Sequence, residues 1–211
     1  MEMELRYQMN NTIKRLLPIA FILTGWYLCS YFEVWSSYIL PSPMQVWDTF
    51  ISMVRNGELF THIFASLNRV LAGFSIAFLF AFILGVITGL KPSLSPYYSH
   101  IVEFLRNVPP LSLIPLLILW VGIGEESKII IIILASFFPM FLNIKKGFGS
   151  TDPKLLEVGK VLGLSPGQRF LKIILPSAIP DILLGMKVGL GFSWRAIIGA
   201  EMIAAASGLG Y

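Results

Sequence analysis

Charge is what this chain has least of. Its 211 residues include 16 basic and 12 acidic side chains, 13% of the total, about half the roughly 25% usual in soluble domains. Hydrophobic residues make up 55% and the mean hydropathy is +0.75, which excludes an ordinary soluble fold. Cysteine occurs once, as Cys29, so neither an intrachain disulfide nor a cysteine metal cluster is available, and no metal site is expected. No His-Glu-x-x-His motif is present, and Gly73-Phe74-Ser75 and Gly191-Phe192-Ser193 each lack the second glycine of G-x-S-x-G. The two histidines, His62 and His100, fall outside the apolar runs, so neither is placed as a catalytic base. A G-x4-G-K-[ST] phosphate loop is also missing, so the chain holds no ATP in such a loop. It reads as a non-catalytic protein with no cofactor of its own. The net charge of +4 does not point to nucleic acid; what matters is where the cations fall.

What the sequence does have is a series of apolar runs approaching membrane length, about 20 residues. They cover residues 16–34, 70–90, 108–123, 129–144 and about 180–200. The expected fold is an all-α polytopic membrane protein of at least five spans. Residues 1–15 form a polar tail and 16–211 a single transmembrane domain, with a polar loop at 145–176. Leu28-Cys29 is not read as a lipoprotein cleavage site, because Tyr27 stands where a small residue is needed. Basic residues concentrate in alternate loops. Arg6, Lys14 and Arg15 lie in the tail, Lys91 and Arg106 between spans two and three. Lys145, Lys146, Lys154, Lys160, Arg169 and Lys172 follow span four. The turn before span four carries Glu125-Glu126 instead. By the positive-inside rule, the N-terminus and the 145–176 loop are cytoplasmic.

Within the spans, small residues recur every fourth position at Gly73, Ala77, Ala81, Gly85 and Gly89, a stripe along which another helix can pack closely. Span three is interrupted by Asn107, Pro109, Pro110 and Pro115. Each proline removes a helical hydrogen bond, and broken helices of this kind often line transport sites. Asn107, Pro109, Pro110 and Ser112 are therefore candidates for a translocation pathway. So are Trp194, Arg195 and Glu201 late in span five, because charge at that depth faces a cavity or another charge.

The 145–176 loop carries the most specific signal. Asp152-Pro153 is a helix start, Gly163 a helix stop, and Ser165-Pro166-Gly167-Gln168 a second start with capping-box spacing. Leu155, Val158, Val161 and Leu162 share one face of the first helix. The second is expected to run over 170–175 and to end at Pro176. Glu157, Val158, Gly159, then Gly163, then Ile173, Leu175 and Pro176 fall at the spacings E-A-A, three residues, G, nine residues, I-x-L-P. This pattern resembles the cytoplasmic EAA loop of bacterial ABC-importer permeases. Val158 and Gly159 depart from the alanines usual there.

The resemblance extends over roughly residues 40–211. Pro41-Ser42-Pro43, Ser66 to Phe74, Leu105 to Pro110, Trp120 to Glu125 with Lys128, and Ala200 to Ile203 are similar to permeases of the nitrate, sulfonate, taurine and bicarbonate group. It implies a type I importer bundle in the inner membrane. Residues Glu157 to Pro176 would couple to one of two ABC ATPase subunits, which bind the ATP and Mg. It also implies an extracytoplasmic solute-binding protein, a permease homodimer and a further helix after Tyr211 that this chain lacks. That group includes importers of pyrimidine-type vitamin precursors, an alternative substrate class. A free-standing secondary transporter or channel would leave the loop without a role.

Overall fold

The computed structural model describes the backbone of residues 2–204 and 206–211, and the side chains of 14–203 and 206–211. Arg6, one of the tail cations, lies outside the described side chains. The described residues are helical, with no strand among them. They divide into a unit of residues 1–60 and a unit of residues 61–211.

In the first unit, α1 (Glu2–Tyr31) covers most of the first expected span and α2 (Pro43–Arg55) follows. Trp26 Nε1 donates to the Pro41 carbonyl at 2.9 Å. Ser42 and Gln45 form a reciprocal capping box at the start of α2, so Pro41-Ser42-Pro43 is a helix entry.

The second unit is organised by α3 (Glu58–Leu90), α6 (Glu125–Gly149) and α9 (Leu175–Ala204). The small-residue stripe is the seam of α3: Gly73, Ala77, Ala81, Gly85 and Gly89 are all buried. A Cβ at Gly73 would lie 2.7 Å from the Ile132 side chain, one at Gly85 2.6 Å from Ile144, and one at Gly89 2.8 Å from Phe148 Cβ. Positions ascend together on both helices, so α3 and α6 run in the same direction. On α9, Ala178, Gly185, Gly189 and Ala196 meet α6 in descending order, against Gly147, Asn143, Met140 and Ala135. These two helices are antiparallel. Phe74, Phe78 and Phe82 stack along α3 and pack against this core, while Phe80 is exposed.

α3, α6 and the continuous helix Pro166–Ile203 are long and apolar enough to cross a membrane. The third expected span, 108–123, is broken where its prolines imply, and its path begins earlier: α4 (Ser95–Asn107) and α5 (Ile114–Val121) join through a 3-10 turn, Pro110–Leu113, and the pair is bent by 83°. Consecutive prolines 109 and 110 supply no N–H and cannot continue α4. α3 also starts twelve residues before its expected span, which places His62 inside a helix.

Pro176 does not end a helix either. A proline inside an α-helix collides with the carbonyl four residues back. Here Phe170–Ile174 winds as a wider π-turn, and the Leu175 N–H reaches the Phe170 carbonyl five residues back. The wider turn absorbs the proline, so the loop runs unbroken into α9.

The seam gives a prediction. Gly85→Leu should lower the thermal unfolding midpoint of the detergent-solubilised protein, by an overpacking cost of about 1–3 kcal/mol, and Ile144→Ala should partly restore it. Ser75→Leu, on the exposed face, is the control. Equal midpoints for Gly85→Leu and wild type would remove the α3–α6 seam.

Candidate functional site

The 145–176 loop folds as two capped helices about a tight turn. Asp152 accepts from the Lys154 N–H and opens α7 (Pro153–Val161). Gly163 has φ +68, a left-handed conformation that favours glycine. The Leu164 N–H reaches the Gly159 carbonyl and the Gly163 N–H the Lys160 carbonyl, both at 3.0 Å, the paired closure of a Schellman motif. Ser165 and Gln168 then cap α8 (Pro166–Arg169) reciprocally.

The motif residues divide by role. Gly159 is buried, and a Cβ there would lie 2.6 Å from Ile173 Cδ1. The departure from alanine thus lets Ile173 seat on α7. Phe170, Ile174 and Leu175 pack on the core of the second unit, and Phe170 stacks on Phe148 with centroids 5.9 Å apart. Glu157, Val158, Gly163 and Pro176 are exposed. So are Leu155, Leu162 and, at 88%, Val161. One side of the loop is bolted to the membrane helices and the other presents an apolar face with Glu157 and Lys160 beside it.

At the α4–α5 break, side chains satisfy the backbone. Asn107 Nδ2 donates to the Glu103 carbonyl and Ser112 Oγ to the Pro109 carbonyl, each at 2.7 Å. Asn107 and Pro110 border an open cavity of about 330 Å³, closed on its other side by Leu134, Phe138 and Phe192. The late-α9 candidates separate. Trp194 packs on the cluster of Val70, Ile132 and Ile197. Arg195 is exposed, with its guanidinium 5.6 Å from the Phe192 ring centroid. Glu201 is 1% exposed and belongs to an ionic network.

That network is the feature the sequence did not reveal. Arg69, 6% exposed, donates all five N–H bonds of its guanidinium. Nε and Nη2 take the two oxygens of Glu125. Nη1 reaches Glu201 Oε1 and the Ser207 carbonyl at 2.7 Å, and Nη2 reaches Ser207 Oγ at 3.0 Å. Glu201 also accepts from Ser66 Oγ at 2.8 Å and from the Gly210 N–H at 3.0 Å. Buried Lys128 lies 3.0 Å from Glu125, so two cations balance two anions. The C-terminal turn closes the cluster: the Gly208 N–H donates to His62 Nδ1 and the Leu209 N–H to Ser66 Oγ. A Cβ at Gly208 would fall within 2.4 Å of the Glu201 carboxylate, so only glycine lets the chain approach. Three segments quoted for the family resemblance, around Arg69, Glu125 with Lys128, and Glu201, meet here. A signal existed: opposite charges within apolar helices find one another.

Apolar bundle helices long enough to cross a membrane, with a proline-broken helix beside a cavity, define the class as an all-α integral membrane protein. The comparisons with known proteins agree. A family model described as the binding-protein-dependent transport system inner membrane component matches residues 60–211. The chain is 37% identical to the putative aliphatic sulfonates transport permease protein SsuC of Bacillus subtilis, over 94% of this chain and 72% of that protein. It is 36% identical to the taurine transport system permease protein TauC of Escherichia coli, over 92% and 72%. To the nitrate import permease protein NrtB of Synechocystis it is 32% identical, over 95% and 75%. The chain belongs to this family: it is an ABC transporter permease, the inner-membrane component of a binding-protein-dependent transport system.

Removing one member of a buried ion pair strands the other, at a cost of about 3–5 kcal/mol. Arg69→Met and Glu201→Leu should each destabilise on that scale in denaturant or thermal unfolding, and the double variant by less than their sum. Strictly additive losses would show that the two groups do not interact.

Proposed function

We propose that this chain is the permease subunit of an ATP-driven importer of small anions of the sulfonate, taurine or nitrate class. A homodimer of it would work with two ATPase subunits and an extracytoplasmic binding protein. The N-terminus and α7 would face the cytoplasm. Neighbouring relatives named for sulfonate, taurine and nitrate transport support the substrate class.

The observation that carries the coupling role is α7 itself. A nine-residue helix capped at both ends projects between two membrane helices with Leu155, Val158, Val161 and Leu162 uncovered. Such a face asks for a partner. A simple interfacial anchor would need the amphipathic face alone. It would not need the Gly163 closure, the second capping box or the seat of Ile173 on Gly159. Those features stiffen the loop and tie it to α9, as a lever requires. Closure of the ATPases would then move α7 and, through the unbroken Pro166–Ile203 helix, switch the bundle between outward and inward access.

Gly163→Pro imposes a φ near −65° where the turn needs a positive one. It should abolish coupled uptake while leaving membrane insertion intact. Val161→Asp should reduce the ATPase that copurifies by on the order of tenfold, equivalent to about 1.4 kcal/mol of interface energy. Undiminished uptake and copurification in both variants would end the coupling role.

A further inference from the structure

Two further cavities continue the one at the helix break. The second, of about 180 Å³, is bordered by Tyr98, Ser99, Glu103, Arg106 and Lys145. The third, of about 410 Å³, is bordered by Thr88, Ser95, Lys145, Lys146 and Ser150. Arg106 borders the first and second, Lys145 the second and third, and Leu142 all three. They form one row along the groove between α4 and α6. It spans the thirteen residues of α4 from Asn107 back to Ser95, twelve steps or about 18 Å at 1.5 Å each, and it ends beside the α6–α7 junction.

The row is unevenly charged. Lys145 Nζ has a ring for a neighbour, 5.1 Å from the Tyr98 centroid, and no carboxylate is paired with it among the described residues. The other cations on α6 are matched, Lys128 by Glu125 and Lys146 by Asp181, both at 3.0 Å. Glu103 is the one carboxylate bordering the three cavities, and it stands 3.8 Å from Arg106, a loose surface-type pair of small worth. The Tyr98 hydroxyl is buried without a hydrogen-bond partner, although buried polar groups are normally satisfied. A guanidinium, an ammonium and an idle phenol donor face one groove with a single carboxylate among them.

We propose that this groove is an oxyanion track. The negatively charged head of the solute is held at Arg106, then passed to Lys145 and the Tyr98 hydroxyl on its way to the α7 end. The shared chemistry is a sulfonate-, nitrate- or phosphate-like head, and a lipid phosphate is the competing source. The track rests on the importer reading for the direction of movement, but not for binding.

The test has two arms. In proteoliposomes containing the permease with its ATPase and binding protein, Lys145→Met and Arg106→Met should each cut taurine uptake roughly tenfold, the scale of a lost charge-assisted hydrogen bond. Copurification with the ATPase should be unchanged, and Lys145→Arg should restore most of the uptake. In the second arm, the permease alone in zwitterionic detergent is titrated with methanesulfonate in a thermal-shift assay, and its bound phosphatidylglycerol is counted by native mass spectrometry. Methanesulfonate should stabilise wild type and not Lys145→Met. Undiminished uptake together with loss of bound phosphatidylglycerol would assign the groove to lipid and overturn the solute track. No change in any readout would overturn the site altogether. A wild-type complex that imports no taurine, sulfonate or nitrate would sink the importer reading instead, and the methanesulfonate arm would still decide the track.

Discussion

A guanidinium placed among apolar helices must have every N–H answered, because unmet polar groups cost more there than in water. Arg69 meets that demand by drawing on three distant parts of the chain: Glu125 at the start of α6, Glu201 near the end of α9, and the turn at Ser207. The demand fixes which helix ends come together. It also orders the segment after α9, whose amides at Gly208, Leu209 and Gly210 are consumed by His62, Ser66 and Glu201. Net pairing energy is not the point, since a buried ion pair is weak evidence for stability. What the network supplies is register: if α9 turned by one residue, Glu201 would leave Arg69 with an unanswered donor.

From that clasp the two small-residue seams carry rigidity toward α7. Gly73, Gly85 and Gly89 admit Ile132, Ile144 and Phe148, and Gly185 and Gly189 admit Met140. Helices this close have little room to slide, so α3, α6 and α9 behave as one body. The clasp and α7 stand at opposite ends of α6, about 30 Å apart for its length of some twenty residues beyond Lys128. The ladder is interrupted at the break after Asn107, where the backbone relies on side-chain bonds from Asn107 and Ser112.

Features with local causes could be read from the sequence. The Asp152, Gly163 and Ser165 signals depend on a few consecutive residues, and their geometry is the one expected. The α3 stripe was equally plain, because a four-residue repeat projects onto one face. Arg69 was legible as a member of the Ser66 to Phe74 segment but not as the centre of a network, since its partners lie 56 and 132 positions away, and no local pattern joins them. Pro176 misled for a related reason. A proline argues for a stop, but the π-turn that rescues the helix is held by Phe170 packing on Phe148, a tertiary contact. The break in the third span was legible from Pro109 and Pro110, but not its 83° angle, because Ile114 and Leu117 beyond it pack with Ile131 and Ala196, which are distant in sequence.

The distribution of charge along α6 suggests how one helix serves two tasks. At its start, Lys128 is buried and neutralised by Glu125, and Ile131, one turn on, is buried with Ile114 and Leu117. Toward its end, Lys145 borders open cavities and stacks on an aromatic ring instead of a carboxylate. A balanced cluster has no field to offer a passing anion, since its cations are already spent on fixed acids. An unmatched cation beside open space does attract one, at any distance shorter than the screening length of about 8–10 Å. The same residue type is thus structural at one end and available at the other. Burial and the presence of a partner carboxylate decide which, and the helix needs no difference in sequence chemistry beyond where Glu125 falls.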